Sequence, residues 1–326
     1  MPLRGAGVLP TALILAGLLG LLTYGGSARV ALLGYGLLQA TRIEGSDFPK
    51  RLIDPAGTRQ IIPAPPQRIV STILAGDHML TALVSPDRLA GVTYLVDDPT
   101  ISNIIGVVPP SVPRIATEIE TLLALQPDLV LVANYTRTET VRLLIAAHIP
   151  VVRFHHDASF QGVMDNLHTL GEAVGAVPQA EQLIHDMRCR IDAVVQRVGE
   201  RQRPRVLYHA PAGYTMGAET LIDEMIQLAG GLNVAREVQL IGPVKLQQEV
   251  MLSLEPEVIV VADWSATPGP EAIQELLHHP VWRHVPAVAH GRVHAIRGAW
   301  LTSVSQEAVH GLEAMARLLH PEAFAW

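Results

Sequence analysis

Two stretches of this chain repeat one another. Leu122–Thr136 reads Leu-Leu-Ala-Leu-Gln-Pro-Asp-Leu-Val-Leu-Val-Ala-Asn-Tyr-Thr, and Met251–Ser265 reads Met-Leu-Ser-Leu-Glu-Pro-Glu-Val-Ile-Val-Val-Ala-Asp-Trp-Ser, 129 residues later and without a gap. Each copy is a helix end, a proline, an acid, an apolar run, then a polar residue and an aromatic. Proline cannot continue a helix. An apolar run of this length between turn residues is a strand covered on both faces, as in parallel sheets. Two such units imply two α/β lobes of like construction. In such sheets ligands gather at the carboxyl ends of the strands. Tyr135 and Trp264 then hold equivalent places, one per lobe, and are predicted to face each other across a cleft.

The rest of the chain keeps this rhythm. Short apolar runs at Arg68–Thr72, Gly91–Tyr94, Asp128–Ala133 and Pro150–Phe154, and again at Arg205–His209, Glu257–Ala262 and Arg292–Ile296, alternate with helical patterns. That alternation signals parallel α/β structure. Between the two sets, Pro178 suits a first helical turn. Leu183, Met187, Ile191, Val194 and Val198 then form one apolar stripe at helical spacing. A helix running from there towards Arg203-Pro204, roughly 25 residues, would reach about 38 Å and could join two lobes. The expected division is an N-terminal lobe at 54–158, a helical segment with the bridging helix at 159–203, and a C-terminal lobe at 204–322.

Ahead of the body, Val8–Tyr24 is nearly continuous apolar sequence after Arg4, and Val30–Leu38 resumes it after Arg29. This is the form of a signal sequence, with Gly26-Ser27-Ala28 and Leu38-Gln39-Ala40 as cleavage sites of small residues. Left uncleaved, Val8–Tyr24 sits near the lower length limit for a membrane span. Residues 1–40 are therefore read as a signal peptide or membrane anchor, with the globular part exported to the periplasm. The lone cysteine, Cys189, allows no internal disulfide and places no lipoprotein cysteine behind the signal.

Charge and motifs exclude several functions. Lys and Arg number 24 against 31 acids, a net charge of −7, whereas nucleic-acid binding selects for basic surfaces. The body carries no G-x-S-x-G elbow, no P-loop and no G-x-G-x-x-G behind a strand, so an enzyme is not expected and no catalytic residue is assigned. Fourteen histidines are scattered without an H-E-x-x-H pattern, and no metal site is assigned. Binding is better supported. The expected strand-end loops offer Tyr94, Tyr135, His155, His156, Tyr214, Trp264 and Trp300, aromatic walls of the kind that hold flat conjugated ligands. Arg297 follows the last strand and could pair with a ligand carboxylate or phosphate.

Taken in order, several segments resemble a known family. Pro66-Gln-Arg-Ile-Val-Ser71 with Pro86-Asp-Arg-Leu-Ala-Gly-Val92 is similar to the opening of the iron-siderophore, haem and cobalamin binding proteins of ABC importers. Leu125-Gln-Pro-Asp-Leu-Val130 is similar to their third strand. Thr220-Leu-Ile-Asp-Glu-Met-Ile-Gln-Leu-Ala-Gly-Gly-Leu-Asn-Val234 resembles their second-lobe signature, and Val281-Trp-Arg-His-Val-Pro-Ala-Val with Gly291-Arg-Val293 their closing strand. The resemblance runs from about Asp54 to Pro321. It implies two Rossmann-like lobes joined by a single long rigid helix, and delivery of a bulky metal chelate to an ABC permease. It implies no covalent cofactor. The family usually carries a glutamate early in the first helix for docking onto permease arginines. This chain has His78 there beside Asp77, so Asp77 is the expected substitute, with Glu224 or Glu219 as its second-lobe partner. The expected ligand is a ferric siderophore or a cobalamin-like corrinoid. Haem, a bare metal ion, and a membrane-tethered sensor that has lost transport are the alternatives.

Overall fold

The computed structural model describes residues 41–154, 159–210, 213–265, 271–278 and 280–325. The leading segment 1–40, read as signal or anchor, lies outside the described residues, as do His155 and His156.

The chain opens with an antiparallel meander, β1 (Arg42–Glu44), β2 (Lys50–Ile53) and β3 (Arg59–Ile62). Asp54 builds the turn between β2 and β3, its Oδ1 accepting from the amides of Ala56 at 2.9 Å and Thr58 at 2.7 Å. The first parallel sheet follows, from β4 (Ile69–Ser71), β5 (Leu89–Thr93), β6 (Arg114–Ile115), β7 (Leu129–Val132) and β8 (Val151–Arg153), in the order β6-β5-β4-β7-β8. A second contains β9 (Arg205–His209), β11 (Leu232–Asn233), β13 (Val258–Asp263) and β14 (Val293–Arg297), in the order β11-β9-β13-β14. Alternating in chain order with the strands of this second sheet, β10 (Tyr214–Met216) and β12 (Pro243–Lys245) form a two-stranded antiparallel ribbon.

The repeated segments supply β7 and β13, and the two hold matching places. β7 lies between β4 and β8, β13 between β9 and β14, all parallel. Every residue of both strands is buried, which is why their sequences are apolar without alternation. The seven strands expected from sequence lie within two residues of those observed.

Helices α1 (Leu74–Leu83), α2 (Phe160–Val174), α3 (Val177–Val198), α4 (Leu221–Leu228), α5 (Gly298–Leu301) and α6 (Ala308–Leu319) do most of the positioning. Ser159 caps α2 through its hydroxyl, which accepts from the Gly162 amide at 3.0 Å, and Gly175 ends that helix at φ +73°, a conformation open to glycine. The hairpin into α3 is so tight that a Cβ on Gly171 would lie 2.4 Å from the Ala180 Cβ.

α3 is the connector. Its buried residues are Ala180, Ile184, Met187, Val194 and Val198, with Leu183 and Ile191 packed at the edge of the same core. It touches α1 of the first lobe and both α4 and α6 of the second. Arg190 fixes it to α6 through a two-pronged pair with Glu313 at 2.8 and 3.0 Å. At 22 residues it is about 33 Å long. The sequence reading carried it to Arg203-Pro204, but Gly199 at φ +56° releases the chain sooner. One hydrophobic core runs from β4 and β7 through α2 and α3 to β9 and β13.

Candidate functional site

A cavity of about 230 Å³ lies between the lobes. Its first-lobe wall is built from chain leaving the carboxyl ends of the strands. β4 delivers Thr72 and Ile73 and then the opening residues of α1; β7 delivers Ala133, Asn134 and Tyr135; β8 delivers Phe154. Leu95 comes from the turn after β5, and Asn166 from α2. The second lobe contributes Thr302, Ser303 and Val304, a polar passage between α5 and α6.

Among the described residues the lining is uncharged. His78 is the only titratable member among those residues short of the Tyr135 phenol, and burial of the ring pushes its pKa down to about 4. Its Nε2 accepts from the Asn103 amide at 3.3 Å, so Nδ1 carries the proton and donates to Ser305 Oγ at 3.0 Å. The imidazole is thus a neutral bridge between the lobes.

Asp77, one residue earlier, points the other way. Its carboxylate is fully buried, with Oδ2 accepting from the Thr93 hydroxyl at 2.5 Å and the Thr93 amide at 3.2 Å. Loss of solvent outweighs these bonds and pushes the carboxyl up to about 7. A group held this way cannot reach a permease, and the expectation of Asp77 as a docking acid is corrected. α1 turns this side of the helix onto β5, where docking would need an outward face.

The other expected residues separate. Tyr135 is 81% exposed at the cavity mouth. Trp264 lies outside the lining and packs on α5, where a Cβ on Gly298 would come within 2.7 Å of the indole. The cavity therefore does not bring the two aromatics together. Trp300 is half-buried, 5.8 Å from the His310 ring, and Tyr94 and Tyr214 are exposed and lie outside the cavity lining. Arg297 is already engaged: its Nη2 donates to the carbonyls of Pro99 and Ser102, both at 3.1 Å. In the second lobe, the Glu224 carboxylate accepts from the Phe160 amide at 2.7 Å, whereas Glu219 is exposed at φ +62°.

Asn166, Asn103 and Thr302–Val304 were not singled out from the sequence. Asn166 left a signal, a polar residue on a helix face otherwise made of Val163, Leu167 and Leu170. The acids near the strand ends serve local structure. Asp97 grips Arg114, Asp98 accepts from Thr100, and Asp263 accepts from Ser265. Among the described residues no three of His, Cys, Asp and Glu converge as metal ligands, and no helix is long and apolar enough to cross a membrane.

Two parallel α/β lobes on one connecting helix, with an interlobe cavity at the strand ends, define the helix-bridged class of binding proteins. The periplasmic binding protein family model matches residues 69–299, and the chain belongs to that family, whose members are substrate-binding transport proteins. A cobalamin-binding protein of Halobacterium salinarum is 31% identical over 280 residues, covering 83% of this chain and 73% of the relative. A substrate-binding lipoprotein of an ABC transporter from Bacillus subtilis is 25% identical over 286 residues, 85% of this chain and 87% of its own. Among solved structures, the molybdate-bound binding protein of Haemophilus influenzae superposes with a TM-score of 0.71 at 20% identity, over 84% of this chain and 92% of that one. The periplasmic haem-binding protein of Vibrio cholerae gives 0.67 at 23%, over 78% and 99%. At these identities the structures support the fold.

Proposed function

We propose that this protein is an exported receptor that captures a corrinoid between its lobes and hands it to an ABC permease. The observation that carries the reading is the uncharged wall that the described residues form around the cavity. An anionic siderophore or an oxyanion calls for Arg or Lys at the contact, and the nearby Arg297 is committed to backbone carbonyls. A nearly neutral macrocycle needs apolar area and a few hydrogen-bonding groups, which Ile73, Leu95, Phe154, Asn134 and Asn166 provide. The 31% identity to a cobalamin-binding protein supports the same choice. In this reading Tyr135, exposed among the lining residues, covers an edge of the macrocycle. Permease docking falls in this reading to Glu219, since Glu224 caps α2 and Asp77 is buried.

Spectroscopic titration tests the proposal. Cyanocobalamin, haem, a ferric catecholate and molybdate are added separately to purified protein, and binding is read from visible spectra and calorimetry. Cyanocobalamin is expected to bind tightly. Saturable binding of haem, the ferric chelate or molybdate, with none of cyanocobalamin, would replace the corrinoid by that ligand.

A further inference from the structure

Ser303 lines the cavity and is only 8% exposed, so its hydroxyl has little solvent to turn to. Its Oγ lies 2.7 Å from Ser305 Oγ and 3.4 Å from His78 Nδ1. Among the described residues no other group hydrogen-bonds to it. A hydroxyl has one proton to give and two lone pairs to receive, and this count fixes the direction of every bond in the cluster. The Asn103 amide donates to His78 Nε2 at 3.3 Å, so the ring proton sits on Nδ1 and goes to Ser305 Oγ at 3.0 Å. The Glu307 amide donates to the same oxygen at 3.3 Å. Both lone pairs of Ser305 are then occupied, and its own proton goes to Ser303 Oγ. Ser303 therefore accepts from Ser305, and His78 Nδ1–H, its other neighbour, is a donor too. The Ser303 proton is left for the cavity.

The threonines of the described lining behave differently. Thr72 Oγ1 donates to Leu131 O at 2.8 Å, and Thr302 Oγ1 donates to Gly298 O at 2.9 Å. Their protons are spent, and they meet a ligand as acceptors. Ser303 meets it as a donor. The sign of that donor is held by the imidazole behind it, which burial keeps neutral and the Asn103 amide keeps in one tautomer. Successive hydrogen bonds in a buried chain also polarise one another, which strengthens the last donor.

We propose that Ser303 is a specificity residue of the cavity: its hydroxyl donates to a carbonyl oxygen of the bound ligand, and Ser305 and His78 are the positioning residues that aim it. The choice of ligand rests on the corrinoid reading, and the direction of the hydrogen bonds does not. On that reading the acceptor is the oxygen of one of the macrocycle's peripheral carboxamides. A ligand that turned an N–H towards Ser303 would set donor against donor and leave both unpaired, so the site selects how the macrocycle is turned as well as what it carries.

Two measurements separate the hydrogen-bond chain from the ligand. Nitrogen-15 NMR of histidine-labelled parent protein reads the His78 tautomer, its signals identified by their absence in His78→Gln. A protonated Nδ1 and an unprotonated Nε2 are expected; a proton on Nε2 would reverse the chain and overturn the proposal. Calorimetry with cyanocobalamin is run on the parent, Ser303→Ala, Ser305→Ala and the double variant, with thermal melts confirming that each is folded at the assay temperature. Ser303→Ala is expected to bind roughly five- to tenfold more weakly. Ser305→Ala should lose roughly twofold by itself and nothing further in the Ser303→Ala background, because it acts through that hydroxyl. Parental affinity in Ser303→Ala, or losses that simply multiply in the double variant, would overturn the proposal. A parent that carries the Nδ1 proton and leaves cyanocobalamin unbound would sink the corrinoid reading and leave the aimed donor standing.

Discussion

Asp77 carries a stability penalty that Asp77→Asn removes, and the size of the effect follows from its surroundings. Burial pushes its carboxyl from 3.8 in the open chain to about 7 in the fold. Each unit is worth about 1.4 kcal/mol, so the charged form costs about 4 kcal/mol to bury. The folded state holds the proton more tightly than the unfolded chain does. The penalty is therefore absent below about pH 4, grows as pH rises, and is complete above about pH 7. Asparagine keeps an oxygen for the Thr93 amide and hydroxyl. Its Nδ2 replaces Oδ1, which has no partner of good geometry, and Ser71 Oγ, already donating to Ile73 O at 2.9 Å, can accept from it. His78 has the opposite sign. Its pKa drops from 6.5 to about 4, so the fold gains stability from it as pH rises over that interval. The two neighbours offset one another in the parent, whose stability is expected to be nearly flat over this window. Urea unfolding of parent and Asp77→Asn between pH 4.5 and 8.5 checks this. The variant should gain on the parent up to about pH 7, where its advantage reaches about 4 kcal/mol and levels off, and its own profile should show the His78 rise. Parallel profiles for the two proteins would refute the reasoning.

Tyr135→Ala should leave the melting temperature in place and weaken corrinoid binding by about 1–3 kcal/mol, read by calorimetry. Trp264→Ala should instead destabilise the protein by about 2–4 kcal/mol with or without ligand, because its indole fills space on α5, as a melt would show. Gly171→Ala puts a methyl against Ala180 and should cost about 1–3 kcal/mol of stability in urea titrations. Limited proteolysis is expected to spare 177–198 and to cut first at the exposed residues Glu200–Arg203, just past Gly199.

The fold was legible where burial is two-sided. β7 and β13 have no polar face, so their sequences are alike, and the matched topology follows from them. The stripe of α3 was legible for the same reason, since seven of its apolar positions meet the core of both lobes. The meander β1–β3 and the ribbon β10–β12 were missed. Their strands are three or four residues long and mostly half-exposed, so alternation has little length in which to show itself. Asp54-Pro-Ala-Gly57, a turn sequence between two short mixed runs, was the available clue. The site was harder still. Asp77 and Arg297 looked like surface charges waiting for partners, and each has its partner inside the protein, Thr93 in one case and two carbonyls of the other lobe in the second. Charge in a sequence says nothing about which backbone atoms will lie within reach.

The repeat itself misled in one respect, and the reason bears on how such a protein binds. Equivalent strands suggested equivalent walls, with Tyr135 and Trp264 opposed. The two lobes did keep the same sheet, but the chain after each strand took a different course. Behind β7, Asn134 and Tyr135 remain at the strand end and open to the cavity. Behind β13, Trp264 is held against Gly298, the first residue of α5, and so becomes part of the support for that helix. α5 in turn presents Thr302–Val304 to the cavity. The second lobe thus lines the cavity with a loop whose neighbours hydrogen-bond to the first lobe, and the first lobe lines it with strand ends fixed in a sheet. Mutations at Tyr135 and at Trp264 should for this reason differ in kind: the first acts on a contact, the second on the placement of the loop that closes over it.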